Sequence, residues 1–326
     1  MVKTLRFLTA RLILPMVVLA MITKNSSERT AVFPQVLKSS LQVPYKAIIL
    51  VDDSDTDKTV SAVRRFAEEH GKELIVSRSR LPPGWSKPTR ATARQTAVDI
   101  FFENTSDEWL MFLDDDCVLR SGWWSLIANS GALEKPNVGE VWGVNWDATD
   151  DRKRYLEALG IDYFKYLVDA FERRGGTHDT LYRRAAIEGI RIPPELHIYE
   201  DAWLHHYVRC GGWESVINPI GVSHFSITGD SFDRERWLFA VRTALKYGIS
   251  ELEPPRGRLR AYLSLLRPIA GFPLMVSVYA RLYPLPRAIA IAARRQYAKL
   301  WVRWIFLREL EKAGWRIPDV CSSVRP

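Results

Sequence analysis

Three consecutive acids, Asp114, Asp115 and Asp116, follow the apolar run Trp109–Leu113 without a spacer. An apolar run of that length, bounded by polar residues, reads as a strand buried on both faces. Three carboxylates at its end cost too much to bury unpaired. They therefore belong at the carboxyl edge of a sheet, where open α/β folds take ligands. With strand-like spacing, Asp114 and Asp116 face the same way and can approach one hard cation or a phosphate-bound Mg²⁺ or Mn²⁺. A polar turn after a core strand would look the same in isolation, so the elements around the triplet decide.

Those elements alternate. Lys3, Arg6 and Arg11 precede an uncharged run, Leu12 to Thr23. With its basic flank and Val18-Leu19-Ala20, this run resembles a signal peptide or short anchor, but it is too short to span a bilayer comfortably. Met16 to Ile22 also suits a first buried strand, the reading preferred because the residues after it complete the same unit. A short helix fits Val32 to Leu41, with Pro34 near its start. Ala47–Val51 is a second strand, running into Asp52 and Asp53. The apolar spacing from Thr59 to Glu69 predicts a helix that Gly71 stops. Glu73–Ser77 is a strand, the Pro-rich stretch 81–88 a loop, and Thr92–Glu103 a helix leading into Trp109. This order argues for a mostly parallel sheet covered by helices. Its strand-end acids at Asp53 and at Asp114–Asp116 then share one edge. Neither strand is followed by Gly-x-Gly-x-x-Gly or a Walker sequence.

Val138–Trp146, containing Trp142-Gly143, reads as another strand, and Asp150–Glu172 as largely helical and amphipathic. Gly175-Gly176-Thr177 breaks the pattern, and structure resumes at Thr180–Arg184. Glu200 and Asp201 precede a helix over Trp203–Arg209, where the helix dipole alone favours acids. His224 ends a last short strand, Val222–Phe225. It can give one nitrogen to a borderline metal or serve as a satisfied, partly buried histidine. His205 and His206 read as structural.

In this order the pieces resemble a family-2 glycosyltransferase with the GT-A fold, over about residues 16–230. Val17–Asn25 resembles the opening strand with its Thr/Ser-x-Asn end, and Ile48–Thr59 the strand with the Val-Asp-Asp nucleotide element. Ala93-Arg94-Gln95 resembles an Ala-Arg-Asn helix start, and Leu113–Asp116 the Asp-x-Asp motif. Gly175-Gly176 through Arg184, Glu200-Asp201 and His224 resemble the acceptor half. The resemblance implies a mixed, mostly parallel sheet flanked by helices, with additional C-terminal helices. It implies metal-dependent, inverting transfer of a hexose from a UDP- or GDP-sugar to an acceptor hydroxyl. Asp53 would contact the base, while Thr23, Asn25, Arg94 and Asp114 would help hold the donor. Asp116, and His224 as a further ligand, would hold Mn²⁺ or Mg²⁺. Asp201 would be the general base, with Trp142, Gly176, Thr177 and Glu200 positioning the acceptor. Asp115 occupies the variable position and is expected to tolerate substitution. Ser54-Asp55 replaces the usual Gly-Ser, Gln95 the usual Asn, and Lys24 a common aromatic residue.

Charge divides the 326 residues. Residues 241–326 carry 16 Lys or Arg against 5 Asp or Glu, a net of +11, which leaves −3 for residues 1–240 out of the total of +8. The expected organisation is a basic arm over 1–15, a catalytic domain over 16–240 and a basic amphipathic helical region over 241–326. In that region Pro254-Pro255 and Arg256–Arg260 form a basic hinge. A helix over Arg294–Leu310 carries Tyr297, Leu300, Trp301, Trp304 and Leu307 on one broad side. Basic residues mixed with Trp and Tyr suit a membrane interface, and packing on the catalytic domain or a dimer contact are the alternatives. The tail is too apolar for a nucleic-acid groove. A polyprenyl-linked or other membrane-proximal glycan acceptor, at the cytoplasmic face of an anionic membrane, is the corresponding expectation. Cys117, Cys210 and Cys321 suggest neither a disulfide framework nor a zinc site, and so reducing surroundings. The rival functions are a nucleotidyltransferase, although Thr23–Ser27 lacks a glycine-rich loop, and a non-enzymatic membrane-bound scaffold.

Overall fold

The computed structural model describes residues 17–148, 151–225, 233–249 and 257–325. The basic arm over 1–15, Met16, and Pro254–Arg256 of the expected hinge lie outside the described residues. The strands are β1 (Val17–Thr23), β2 (Tyr45–Asp52), β3 (Glu73–Ser77), β4 (Trp109–Leu113), β5 (Cys117–Leu119), β6 (Val138–Asp147), β7 (Asp179–Arg183) and β8 (Glu214–His224). The helices of the body are α1 (Ser26–Arg29), α2 (Phe33–Ser40), α3 (Lys58–Glu69), α4 (Arg90–Asn104), α5 (Trp123–Ser130), α6 (Asp151–Ala158), α7 (Tyr163–Arg174) and α8 (Glu200–Cys210). After them come α9 (Arg234–Tyr247), α10 (Arg258–Leu263), α11 (Leu266–Ala270), α12 (Phe272–Ala280), α13 (Leu285–Lys312) and α14 (Val320–Val324).

One eight-stranded sheet runs in the order β3-β2-β1-β4-β7-β6-β8-β5. The first four strands are parallel, β7 is antiparallel to both its neighbours, β8 runs parallel to β6, and β5 antiparallel to β8. Because helices cover both faces of the sheet at β1, β2 and β4, side chains on both sides of these strands are buried, which accounts for their long apolar runs. One face packs under α4 and α8, with Ala97, Phe101, Leu204 and Val208 in its core. The other packs under α2, α3 and α5, around Phe33, Val63, Trp123 and Ile127. Each fully buried Leu, Ile, Val or Phe here contributes roughly 1.5–3 kcal/mol.

The structure departs from the sequence reading in several elements. The span expected as largely helical over 150–172 forms two helices, α6 and α7, separated at Gly160, whose φ of +71° turns the chain. Asp162 then caps α7 by accepting from Lys165 N at 3.0 Å. The last strand begins at Glu214 rather than Val222, and α8 at Glu200 rather than Trp203. Helix α13 starts at Leu285, nine residues before the expected Arg294, since Pro286 in its first turn is compatible with helix geometry. Helices α1 and α5 and strand β5 had no counterpart in the sequence reading.

Cys210 at the end of α8 and Cys321 in α14 form a disulfide across 111 residues, a pairing that the sequence reading rejected. Their scattered spacing hid it: only the return of the C-terminal segment onto α8 brings the two together. Disulfides persist mostly in oxidising compartments, with intracellular hyperthermophile proteins an exception, so this bond runs against the expected reducing surroundings. Helix α13 packs on α9 through Ile305, Phe306, Leu307 and Leu310, and Ala288 and Ala292 join the cluster around Met275 and Tyr279 of α12. Tyr297 and Trp304, placed on the same side by the sequence reading, are instead exposed.

Candidate active site

The acids gather at the carboxyl edge of β1, β2 and β4. Asp52 ends β2 as a buried residue, accepting from the Thr23 hydroxyl at 2.7 Å and the Ser54 hydroxyl at 2.5 Å. Thr23, expected at the donor, is thus buried and bonded within the scaffold. Ser54 also accepts from Asn25 N at 2.6 Å, while Asn25 and Asp55 exchange two 3.0 Å hydrogen bonds through side chain and backbone. Ser54-Asp55, where Gly-Ser was usual, therefore clamps the end of β1 to the end of β2. That clamp holds Asn25 in the left-handed conformation, at φ 56°. Asp53, only half-buried, is fixed by Ser79, which donates from its backbone N at 3.0 Å and from its hydroxyl at 2.5 Å.

The triplet forms a turn rather than a strand extension: Cys117 N donates to Asp114 O at 3.2 Å. Its three carboxylates go to different partners. Asp114 accepts from Arg94 Nη2 at 2.8 Å. Arg94 is almost fully buried and faces the Phe112 ring, and its Nε lies 3.5 Å from Glu200. Burial opposes the Arg94 charge, but Asp114 and Glu200 more than offset this and hold its pKa above the ordinary value. Burial likewise works against the charge on Asp114, and Arg94 reverses the balance, leaving its carboxyl below the usual range. Asp115 turns inward. It is 7 % exposed and accepts from the Ser26 hydroxyl and, at 2.9 Å, from Arg29 Nη2. The expected tolerance of this position does not fit: Asp115 ties β4 to α1, and burial is the chief reason its pKa is raised.

Asp116 meets His224, with Nε2 3.4 Å from Oδ2. Pairing of β5 with β8 sets Cys117 opposite His224, and Phe225 N donates to Asp116 O at 2.9 Å. Ligand atoms of Asp116, Cys117 and His224 all lie within 4.8 Å of one another. A carboxylate with an imidazole suits a borderline divalent ion such as Mn²⁺. The Cys117 thiol is buried and donates to Asp116 Oδ1 at 3.4 Å, and burial together with Asp114 and Asp116 drives its pKa well up.

Asp201, expected on the acceptor side, lies in the first turn of α8. It accepts from Ala202 N at 2.8 Å and lies 3.9 Å from Arg174 Nε. Its neighbour Glu200 is buried and, through burial first and then the Asp201 charge, is pushed up to about 7 despite Arg94. Behind them His205, as expected, is structural: Nδ1 lies 2.8 Å from buried Glu140. Gly175 (φ +73°) passes so close to His205 that a Cβ would come within 2.4 Å of its Cβ. Trp142 was expected near the acceptor, but it is 2 % exposed and stacks on Phe171 with ring centroids 3.4 Å apart. Thr177 is also buried, and Gly176 O accepts from Thr180 Oγ1 at 2.8 Å.

The sequence reading missed His178. Its backbone O accepts from Asp114 N at 3.1 Å, and its Nε2 lies 2.9 Å from Gly143 O. Burial lowers its pKa, against the opposing pull of Asp114. Below it, Asp179 accepts from Trp123 Nε1 at 2.7 Å and from Gly143 N at 3.2 Å, and burial raises its pKa well above the usual carboxyl range. Gly143 is required there, because a Cβ would overlap Asp179 Oδ2 at 1.7 Å. The sequence signal for His178 was its place directly after the Gly-Gly-Thr break.

The sequence description of glycosyl transferase family 2 matches residues 19–190, more than half of the chain. The chain belongs to that family. This glycosyltransferase also resembles solved structures. A mannosyltransferase from Pyrobaculum calidifontis, solved with GDP-Man and Mn²⁺, is 18% identical over 93% of this chain and 88% of that one, with a TM-score of 0.52. Glucosyl-3-phosphoglycerate synthase from Mycobacterium tuberculosis, solved with Mn²⁺, UDP and phosphoglyceric acid, is 15% identical over 74% and 80%, with a TM-score of 0.48. A comparison with curated protein sequences gives no match. The family and the first of these structures fix the glycosyltransferase's fold as GT-A, and family membership removes the scaffold and nucleotidyltransferase readings.

Proposed function

We propose that this glycosyltransferase transfers a hexose from a UDP- or GDP-sugar to an acceptor hydroxyl, with inversion and with a divalent cation. The observation that carries the reading is the split of the acidic triplet. Asp114 goes to Arg94, Asp116 to His224, and Asp201 stands apart at the start of α8. Asp53, presented rigidly by Ser79, meets the base, and Asn25 stands beside it at the same edge. Arg94 is too buried to be a primary donor contact, so it acts through Asp114, fixing the carboxylate that faces the nucleotide.

Asp116 and His224 hold Mn²⁺ or Mg²⁺, the ion in the similar mannosyltransferase structure being Mn²⁺. When bound, the ion supplies Lewis-acid stabilisation of the departing diphosphate. Asp201 accepts the proton of the acceptor hydroxyl as its oxygen attacks the anomeric carbon from the face opposite the diphosphate. The new C–O bond forms as the bond to the diphosphate oxygen breaks, and direct displacement inverts the centre. Asp201→Asn should lower turnover by about 10²–10⁴-fold, the range of general-base contributions, with donor affinity unchanged. Near-normal turnover in that variant would remove Asp201 from this role.

We also propose that the basic C-terminal helices lie against an anionic membrane, where a polyprenyl-linked or other membrane-proximal glycan is the acceptor. Leu259, Leu263, Leu266, Ile269 and Leu274 are all more than half exposed along α10–α12. The stretch Arg258–Ala280 is long and apolar enough to cross a membrane by length and composition alone, yet it is divided into three short helices. An interfacial position accounts for both features.

A further inference from the structure

Away from the acidic edge, α9, α11 and α13 enclose a cavity of about 480 Å³, within the size range of small-molecule sites. Three cations line it: Arg267 from α11, and Lys299 and Arg303, one turn apart on α13. Among the described residues none of the three has an acidic partner. Glu309, further along α13, is engaged by Arg242 and Lys312, and Glu195, near the end of α9, by Lys246. Burial lowers the pKa of Lys299, with Arg295 adding to it, and burial then Arg267 does the same for Arg303. Arg303 is half-buried while Arg267 and Lys299 are exposed at the rim, so among the described residues three like charges ring the mouth of a largely apolar space, a field that favours a bound anion.

Apart from Gln296 and Tyr199, the remaining wall is apolar. Trp237 and Val241 of α9 face Val302 and Phe306 of α13. Helix α11 serves two surfaces at once: Arg267 and Pro268 line the cavity, while Leu266 and Ile269 are 56% and 60% exposed. A free phosphate would satisfy the cations and leave the aromatic wall wet, and a plain hydrocarbon would leave the cations unpaired. We propose that this cavity binds a phosphorylated amphiphile, its phosphate on Arg267, Lys299 and Arg303 and its hydrocarbon along Trp237, Val302 and Phe306. The ligand class is set by that charge and apolar complementarity, and its source is either a bilayer lipid or a soluble phosphoester.

The cavity also touches the acceptor side. Tyr199, immediately before Glu200-Asp201, forms part of its wall. Arg174 lies 5.5 Å from the Tyr199 ring centroid and 3.9 Å from Asp201.

The test is calorimetry on the full chain with farnesyl phosphate, farnesol and inorganic phosphate. Farnesyl phosphate should bind at least about tenfold more tightly than either of the others, and Lys299→Gln/Arg303→Gln should erase that advantage with the circular dichroism spectrum unchanged. Equal binding of farnesol and farnesyl phosphate, or full retention of the preference in the double variant, would overturn the proposal. If that variant misfolds, Val302→Trp, which fills the cavity without touching charge, should weaken farnesyl phosphate binding, and unchanged binding would count against the site. Competition by phosphatidylcholine vesicles containing phosphatidate, but not by phosphatidylcholine alone, assigns the ligand to the bilayer. Competition only by soluble phosphoesters assigns it to solution, and either result upholds the chemistry. Binding is read without glycosyl transfer, so failure here leaves the catalytic reading untouched.

Discussion

Asp115 shows how far one carboxylate in a run of three can differ from its neighbours. It is tied to Ser26 and Arg29, whereas Asp114 and Asp116 stay half-exposed at the site. Replacing it by Ala strands the buried Ser26 hydroxyl and removes a charge-assisted bond, a loss of roughly 1–3 kcal/mol. Urea denaturation of Asp115→Ala should show that loss, and an unchanged midpoint would mean that the α1 contact contributes nothing. The triplet's chemistry was legible because three acids after a buried strand have few places to go. Which acid turned inward was not legible, since the turn at Asp114–Cys117 breaks the alternation that a strand would have imposed. Ser54 and Asp55 were visible as departures, but their bonds to Asn25 bridge about 30 residues and have no local signature.

At the scale of elements, the alternating first half was read well because buried parallel strands and helix periodicity leave strong patterns. Strands β2, β3 and β4 and helices α3 and α4 differ from their sequence-derived bounds by two residues or fewer. What escaped were short elements such as α1 and β5, and the identity of α14 as the partner of α8. That contact rests on the Cys210–Cys321 bond and on Arg325, whose Nε donates to Tyr207 O at 2.9 Å. Closing a loop of this length is worth about 4–5 kcal/mol in the chain-entropy picture. Cys321→Ser should therefore lower the melting temperature by several degrees and raise proteolytic cleavage near α14. A melting temperature insensitive to both the substitution and a reductant would show that the contact holds without the bond.

For the whole molecule, the charge division along the chain corresponds to a division of surfaces. The acidic site lies at the sheet edge, and the basic and apolar groups lie on α10–α13. The sequence reading weighed membrane contact against packing, and α13 packs through one face while Tyr297 and Trp304 remain exposed on it. Leu263→Ser/Ile269→Ser should reduce sedimentation with anionic liposomes severalfold without altering turnover on a soluble acceptor. Equal sedimentation of the variant and the unaltered protein would argue against an interfacial role for these helices. The central claim concerns the edge itself, and calorimetry with UDP- and GDP-sugars, with and without Mn²⁺, tests it most directly. The expected result is that one donor class binds at least about tenfold more tightly with Mn²⁺, and that Asp116→Ala abolishes the difference. Donor binding indifferent to Mn²⁺, or a Mn²⁺ effect that survives the loss of Asp116, would contradict it.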